Sequence, residues 1–156
     1  MSKITPCIWS DFQADEAIEF YLSIFPDSRL IEASRYRESG PGPAGQILMA
    51  VIELDGNEFQ ILNGGPSYKP TPGISFSIPC ETQQQIDHYW NNLGKGGHYS
   101  QCGWLSDKFG VSWQVVPTIL GKYLNDKDEE KAGRVIHAMM GMEKFIIADL
   151  DKAYKG

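Results

Sequence analysis

The chain has 156 residues, of which 42% are hydrophobic and 22% are charged, and this composition excludes a disordered chain. Its 20 acidic and 14 basic residues give a formal net charge of −6 at pH 7. The basic residues are dispersed along the sequence, so a nucleic acid is not expected as a partner. The length predicts a single domain spanning residues 1–156.

Two further features concern the compartment of the protein. No segment approaches the roughly 20 apolar residues of a membrane span, and no N-terminal leader is visible, so no membrane partner is expected. The three cysteines, Cys7, Cys80 and Cys102, are odd in number and far apart. This pattern favours free thiols in a reducing compartment, and a cytoplasmic protein is expected.

The first module begins with a β-like segment at Ile4–Trp9, which precedes an amphipathic helix. Four large apolar residues share one face of this helix at i, i+3, i+4 and i+7, namely Ile18, Tyr21, Leu22 and Phe25. Pro26 is predicted to end the helix. Three strands are then predicted at Ser28–Tyr36, Ile47–Leu54 and Glu58–Leu62, with a hairpin turn at Asp55–Gly56 between the last two.

A second module repeats this order. Ile74–Pro79 is β-like, and the helical pattern recurs 68 residues after the first, at Ile86, Tyr89, Trp90 and Leu93. Thr82 and Gln85 have the spacing of a capping box, and Gly94 is predicted to end the helix. A hairpin follows, from Gly103–Leu105 to Ser112–Val116. The modules cover about residues 1–66 and 73–117, joined by a segment rich in glycine and proline.

The last strands of the two modules support the repeat. Gly56–Leu62 and Gly110–Val116 each contain a glycine, an aromatic residue, and a glutamine directly after the aromatic residue. The predicted fold is therefore α+β, with paired βαβββ modules that form a cupped mixed sheet. Residues 118–156 are predicted to be a helical extension with helices at about Thr118–Leu124, Asp128–Met140 and Phe145–Tyr154. Met139, Met140 and Met142 are interpreted as packing residues of this extension.

The alternation of the strands indicates which side chains face away from the helices. Phe59 and Ile61 are predicted to face the first helix, which leaves Glu58, Gln60 and Leu62 on the opposite face. Trp113, Val115, Phe76 and Ile78 are likewise predicted to face the second helix, so that Ser75, Ser77 and Gln114 face away. The 68-residue offset pairs Cys7 with Ser75, but the alternation in Ile4–Trp9 does not fix the register of this strand and leaves Pro6 as the alternative to Cys7. The candidate ligand-binding residues on the concave face are Cys7, Trp9, Gln60, Ser75, Trp104 and Gln114. Trp9 and Trp104 would line a pocket for a planar or apolar molecule, or else complete the core or a dimer contact.

Several segments resemble a known family. They include Ile-Thr-Pro-Cys-Ile-Trp at 4–9, Leu-Asn-Gly-Gly-Pro at 62–66 and Cys-Gly-Trp-Leu-Ser-Asp-Lys-Phe-Gly-Val-Ser-Trp-Gln-Val-Val-Pro at 102–117. The chain resembles the vicinal oxygen chelate superfamily of glyoxalases, bleomycin-resistance proteins and extradiol dioxygenases. Within it, the chain is most similar to the PhnB-like group, which is often labelled 3-demethylubiquinone-9 3-methyltransferase. The resemblance implies a homodimer and, in many relatives, a divalent metal held by His and Glu.

The positions that resemble those metal ligands are Gln60, Ser75 and Gln114. A transition metal prefers imidazole, carboxylate or thiolate ligands, so the sequence predicts no bound metal and no cofactor. The three histidines, His88, His98 and His137, are expected at the surface or in packing roles. Cys7 is expected to be a small buried thiol. Glu58 and Asp107 are expected to be solvated beside the hairpin turns.

Two functions remain open from the sequence. The first is a small-molecule-binding protein of this superfamily without an intact metal site. The second is an enzyme acting on an unidentified small organic substrate, which would be a methyltransferase if the family label describes its reaction. The chain has no G-x-G-x-x-G motif of the Rossmann type, and Asn63-Gly-Gly-Pro66 is predicted to be a turn between strands. The reaction is therefore not inferred from the label.

Overall fold

The structure is a computed structural model that describes residues 3–156. The chain divides into two compact units, one ending at Pro70 and the other beginning at Thr71. This boundary lies in the segment predicted to join the two modules. None of the helices within residues 3–156 has both the length and the apolarity needed to cross a membrane.

The first unit is one βαβββ module. Its elements are β1 (Cys7–Ser10), α1 (Ala14–Ile24), β2 (Ser28–Arg35), β3 (Ile47–Leu54) and β4 (Asn57–Asn63). The strands form a mixed sheet in the order β1-β4-β3-β2, in which β1 is parallel to β4 and the other pairs are antiparallel. The tight β3–β4 turn is at Asp55 and Gly56, which both have positive φ angles as a two-residue hairpin turn requires.

Helix α1 buries a somewhat different face from the predicted one. Ile18, Tyr21 and Phe25 are buried as expected, but Leu22 is only half-buried. Ala14, Ala17 and Ile24 complete the buried face instead. The prediction was wrong at Leu22 because the pattern of large residues ignored the alanines, whose small side chains allow a close approach of helix and sheet.

The second unit contains the other βαβββ module. Its elements are β5 (Ser75–Cys80), α2 (Gln83–Leu93), β6 (His98–Tyr99), β7 (Trp104–Ser106) and β8 (Ser112–Pro117). The sheet order is β5-β8-β7-β6, with β5 parallel to β8. The predicted features of α2 are confirmed: Thr82 and Gln85 form a reciprocal capping box, Gly94 is the C-cap, and the four apolar residues of the stripe are buried.

The helical extension belongs to the second unit. It consists of α3 (Thr118–Leu124), α4 (Glu129–Met140) and α5 (Ile147–Lys155), close to the predicted bounds. Two hydrogen bonds join α5 to the end of α3: Tyr123 donates to Asp151 at 2.7 Å, and the Tyr154 hydroxyl donates to Asp126. The two tyrosine rings stack with their centroids 4.1 Å apart. Met140 is 64% exposed, so its expected packing role was wrong.

Gln83 attaches the extension to the module. Its side-chain nitrogen donates to the carbonyl of Phe145 at 3.0 Å, and its side-chain oxygen accepts from the amide of Ile147 at 2.9 Å. Lys144 adds an ion pair with Asp87 at 2.8 Å. The first turn of α2 therefore holds the segment that leads into α5. The observed architecture confirms the predicted α+β class with two βαβββ modules and a C-terminal helical extension.

Candidate functional site

Each sheet has one face covered by its helix and an opposite face that carries half-buried side chains. We call the opposite face of the first sheet the first outer face, which carries Cys7, Trp9, Met49, Val51, Gln60 and Leu62. The sheet register brings these residues together: Gln60 lies opposite Cys7 on one side and Val51 on the other, while Leu62 lies between Trp9 and Met49. Phe59 and Ile61 are buried on the helix side, as the alternation predicted. The centre of the face therefore combines apolar side chains with one amide, while Glu53 and Glu58 lie opposite each other near the β3–β4 turn.

Trp9 is fixed in place by the turn that follows β4. Its indole nitrogen donates to the carbonyl of Gly65 at 2.7 Å, and its ring meets Tyr68 edge-on with centroids 4.8 Å apart. A Cβ atom at Gly64 would lie 2.2 Å from the Trp9 ring, so only glycine fits there. Trp9 is half-buried and lies outside the buried core.

Asn63, in the Leu-Asn-Gly-Gly-Pro segment, connects the end of β4 to neighbouring elements of the first unit. Its side chain is fully buried, accepts from the amide of Ala14 at the start of α1 and donates to the carbonyl of Ile47 at 2.8 Å. Tyr36 donates to the Asn63 carbonyl at 2.6 Å. The segment therefore shapes the end of β4 and the start of α1, in agreement with its prediction as a turn.

Cys7 differs from its prediction. The residue is exposed, so its interpretation as a small buried thiol was wrong. Neighbouring atoms still desolvate the thiol and raise its pKa, an effect that a backbone hydrogen bond from Leu62 partly offsets. A raised thiol pKa keeps the group protonated near neutral pH, which lowers its reactivity as a nucleophile.

The second outer face is the face of the second sheet opposite α2. It carries Ser75, Ser77, Trp104, Gln114 and Val116. Gln114 is central: Ser77 lies opposite it on β5 and Trp104 lies opposite it on β7. The side-chain nitrogen of Gln114 donates to the Ser75 hydroxyl at 2.9 Å, and both residues are half-buried. Trp104 is also half-buried and lies outside the core.

The sheet register corrects the pairing of Cys7 with Ser75. Cys7 lies opposite Gln60, whereas Ser77 lies opposite Gln114, so Ser77 is the equivalent of Cys7. The 68-residue offset holds for the helices but becomes 70 residues in the first strands, because the second module has a shorter connection between strand and helix. Only the hydrogen-bonded register reveals this difference.

Asp107 also differs from its prediction. It is 3% exposed rather than solvated. One carboxylate oxygen accepts from the amides of Phe109 and Val111, and the other accepts from the Trp113 indole at 2.9 Å. Asp107 therefore holds the β7–β8 turn and the core tryptophan together. Glu58, in contrast, is partly exposed and lies 3.6 Å from Lys3.

The donor groups of the outer faces do not fit a transition metal. Gln60 offers one amide on the first outer face, and Ser75 and Gln114 offer a hydroxyl and an amide on the second. These neutral groups leave the charge of a divalent ion uncompensated. Within residues 3–156, no group of three or more His, Cys, Asp or Glu side chains is placed to hold a metal ion. His88, His98 and His137 are all exposed, as expected. The central polar side chains, Gln60, Ser75 and Gln114, are therefore neutral hydrogen-bonding groups.

A groove that sequence reasoning missed lies between α4 and α5. Its volume is about 770 Å³, and it is lined by residues of both helices, among them Gly133, Arg134, His137, Asp149 and Lys152. Arg134 joins the two helices by donating to the carbonyls of Ala153 and Tyr154. A Cβ atom at Gly133 would meet nothing within 4 Å, so the glycine leaves open space in the groove. The small residues in the sequence of both helices, such as Gly133 and Ala153, could have indicated this groove.

Comparisons with known proteins identify the family. Residues 2–116 match the family model described as 3-demethylubiquinone-9 3-methyltransferase, and the match ends before the helical extension. A PhnB protein from Bacillus cereus, whose description carries the same family name, is 34% identical. Its superposition has a TM-score of 0.71 and covers 75% of this chain and 100% of that chain. The comparison with curated proteins gave no match.

More distant structures show the fold. Protein PA1353 from Pseudomonas aeruginosa is 21% identical, with a TM-score of 0.63, and the match covers 75% of this chain and 98% of that chain. The fosfomycin resistance protein FosX from Listeria monocytogenes is 12% identical, with a TM-score of 0.60, and the match covers 80% of this chain and 98% of that chain. The paired βαβββ modules are thus of the vicinal oxygen chelate type. The chain belongs to the PhnB-like, 3-demethylubiquinone-9 3-methyltransferase family.

Proposed function

We propose that the protein binds a small organic molecule on its outer sheet faces and that it does so without a resident transition metal. The observation that carries this proposal is the pairing of an amide with half-buried apolar groups on each face. Gln60 lies opposite Val51 and Gln114 lies opposite Trp104, and these four residues are half-buried. Cys7 and Ser77, on the other side of each glutamine, are exposed. Apolar walls with a few placed polar groups are typical of ligand sites.

The neutral side chains at the central positions support a binding role over metal-assisted chemistry. Gln60, Ser75 and Gln114 can orient a polar group of a ligand through hydrogen bonds, but none of them is a general acid or base at neutral pH. A binder that sequesters its ligand needs only such a pocket. Stoichiometric zinc, iron, nickel or manganese in the purified protein, measured by mass spectrometry, would refute this part of the proposal.

The alternative is an enzyme acting on a small organic substrate. The description of the matching family favours a methyltransferase in that case. The physical objection is that each of the two four-stranded sheets contains one parallel strand pair, whereas the Rossmann site for S-adenosylmethionine lies at the ends of successive parallel strands.

A thermal-shift screen separates the two functions. Metabolites that raise the melting temperature bind the native state. If S-adenosylmethionine raises it, the methyltransferase alternative is favoured. Any other hit should bind more weakly to the Gln114→Leu variant, because the variant loses one buried hydrogen bond to the ligand. The expected loss of binding free energy is on the order of 1–3 kcal/mol, and the fold is retained. Unchanged binding of every hit to this variant and to Gln60→Leu would refute the proposed site.

We also propose that the protein is a cytoplasmic homodimer. Strand β2 is an edge strand, and its residues 29–35 are all exposed, including Leu30 at 43% and Ile31 at 42%. An exposed edge strand with apolar side chains favours coverage by a partner chain. Sedimentation analysis of the purified protein tests this proposal, and a monomer at micromolar concentration would refute it.

A further inference from the structure

The second outer face carries no charged side chain on strands β5, β7 and β8. On β5, β7 and β8 this face consists of serines, Gln114, Trp104, Pro79 and Val116. His98 lies opposite Ser106 at the far edge, on β6. A charged ligand buried against these strands would lose its hydration without gaining an opposite charge. The face therefore favours an uncharged ligand.

Gln114 supplies the polar recognition group of this face. A glutamine amide has two N–H donors and one carbonyl acceptor. Its bond to the Ser75 hydroxyl, at 2.9 Å, uses one donor and fixes the orientation of the amide. One N–H of a primary amide lies beside the carbonyl oxygen and the other points away from it. We assign the bond to Ser75 to the N–H that points away, which leaves the N–H beside the carbonyl oxygen for a ligand. This donor–acceptor pair matches a ligand that carries an acceptor next to a donor.

Trp104 supplies a flat apolar surface beside this amide. It lies directly opposite Gln114 in the antiparallel pairing, where side chains on one face have Cβ atoms roughly 4.5–5.5 Å apart. The indole is half-buried, so part of its surface is accessible to a ligand. An aromatic ring that stacks on Trp104 lies next to β8, the strand that carries Gln114.

We propose that the second outer face binds a planar cyclic secondary amide, that is, a lactam fused to or within an aromatic ring. The ligand N–H donates to the carbonyl oxygen of Gln114, the ligand carbonyl accepts from the second N–H of Gln114, and the ring stacks on Trp104. Ser75 is a positioning residue that holds the amide. This inference rests on the proposed function, because it assigns the ligand class of the same site.

The test compares three bicyclic probes by calorimetric titration of the full-length protein. Quinolin-2(1H)-one has the lactam N–H, 1-methylquinolin-2(1H)-one lacks it, and quinoline-2-carboxylate is an anion of similar size. The lactam is expected to bind at least about tenfold more tightly than its methylated analogue, since methylation leaves the Gln114 acceptor unpaired. The anion is expected to bind more weakly than the lactam.

Variants locate the effect. In Gln114→Leu the preference for the lactam over the methylated analogue should fall below about threefold, because the paired hydrogen bonds are lost. Ser75→Ala should also reduce the preference for the lactam, and this variant replaces Gln114→Leu in the test if Gln114→Leu does not fold. Gln84→Leu is the matched control: Gln84 is exposed on α2, on the opposite side of the sheet, and its replacement should leave all three affinities unchanged.

Three outcomes overturn the inference: equal affinity for the lactam and its methylated analogue, tighter binding of the anion, or no binding of the lactam at millimolar concentration. These outcomes are distinct from failure of the proposed function. If metabolite hits depend on Gln114 while the lactam preference is absent, the binding function stands and the ligand class is wrong. If no hit depends on Gln60 or Gln114, both proposals fail.

Discussion

Replacement of Asp107 by asparagine tests how the second hairpin is held. The buried carboxylate accepts three hydrogen bonds, two from backbone amides of the turn and one from the Trp113 indole. Asparagine retains one acceptor oxygen, which continues to serve the two amides. Its NH2 group then faces the indole N–H, so that two donors are opposed in a buried site.

The expected loss follows from this count. A hydrogen bond to a charged group contributes about 1.5–3 kcal/mol, and an unsatisfied buried donor adds to the cost. Asp107→Asn should therefore lower the free energy of unfolding by about 2–3 kcal/mol, and Asp107→Ala, which removes all three bonds, by about 4 kcal/mol or more.

Urea unfolding followed by tryptophan fluorescence measures these changes, provided that the slope of the free energy against urea is unchanged. Asp55→Asn is a matched control, because Asp55 is exposed at the corresponding turn of the first module and asparagine tolerates its positive φ of 46°. That variant should differ from wild type by less than about 0.5 kcal/mol. Equal effects at the two positions, or a loss below about 0.5 kcal/mol for Asp107→Asn, would refute the reasoning.

The other predictions concern two glycines, Gly64 and Gly133, and the pH dependence of the helical extension. Gly64→Ala should destabilise the first unit and shift the Trp9 fluorescence, because the new Cβ atom would lie 2.2 Å from the indole. Gly133→Ala in α4 places its Cβ atom in open space and should stabilise the protein by up to about 1 kcal/mol. The melting temperatures of the two variants check both predictions, and equal shifts would contradict the packing described for the two glycines. The Tyr154 hydrogen bond lowers the pKa of Asp126 below 3.8, so this contribution to stability is present above pH 3.8 and is lost as the pH falls through the lowered pKa. The Asp151 hydrogen bond raises the pKa of Tyr123 from 10.0 to about 12, so its contribution is complete below pH 10 and is lost as the pH rises toward 12. Stability measured against pH in wild type and Tyr123→Phe should differ in slope between pH 10 and about 12, and parallel curves would refute the assignment.

Local patterns in the sequence were sufficient for the helices and hairpins. The Thr82–Gln85 capping box, the Gly94 cap and the turn at Asp55–Gly56 depend on residues close in the chain, and all were confirmed. The alternation in β4 and β8 placed Gln60 and Gln114 on the faces away from the helices because a strand has a period of two. Membership of the family followed from residues 2–116 alone.

Contacts between distant residues decided the rest. The equivalence of Cys7 with Ser77 depends on the parallel pairing of β1 with β4 and of β5 with β8, which the 68-residue helix repeat does not determine. Asp107 looked like a solvated turn residue because its indole partner becomes adjacent only when β8 pairs with β7. The sequence by itself determined the two modules, the helical extension and the neutral character of Gln60, Ser75 and Gln114. Only the tertiary structure decided which side chains meet there, because register, burial and the Gln114–Ser75 bond arise from pairing of strands that are far apart in the chain.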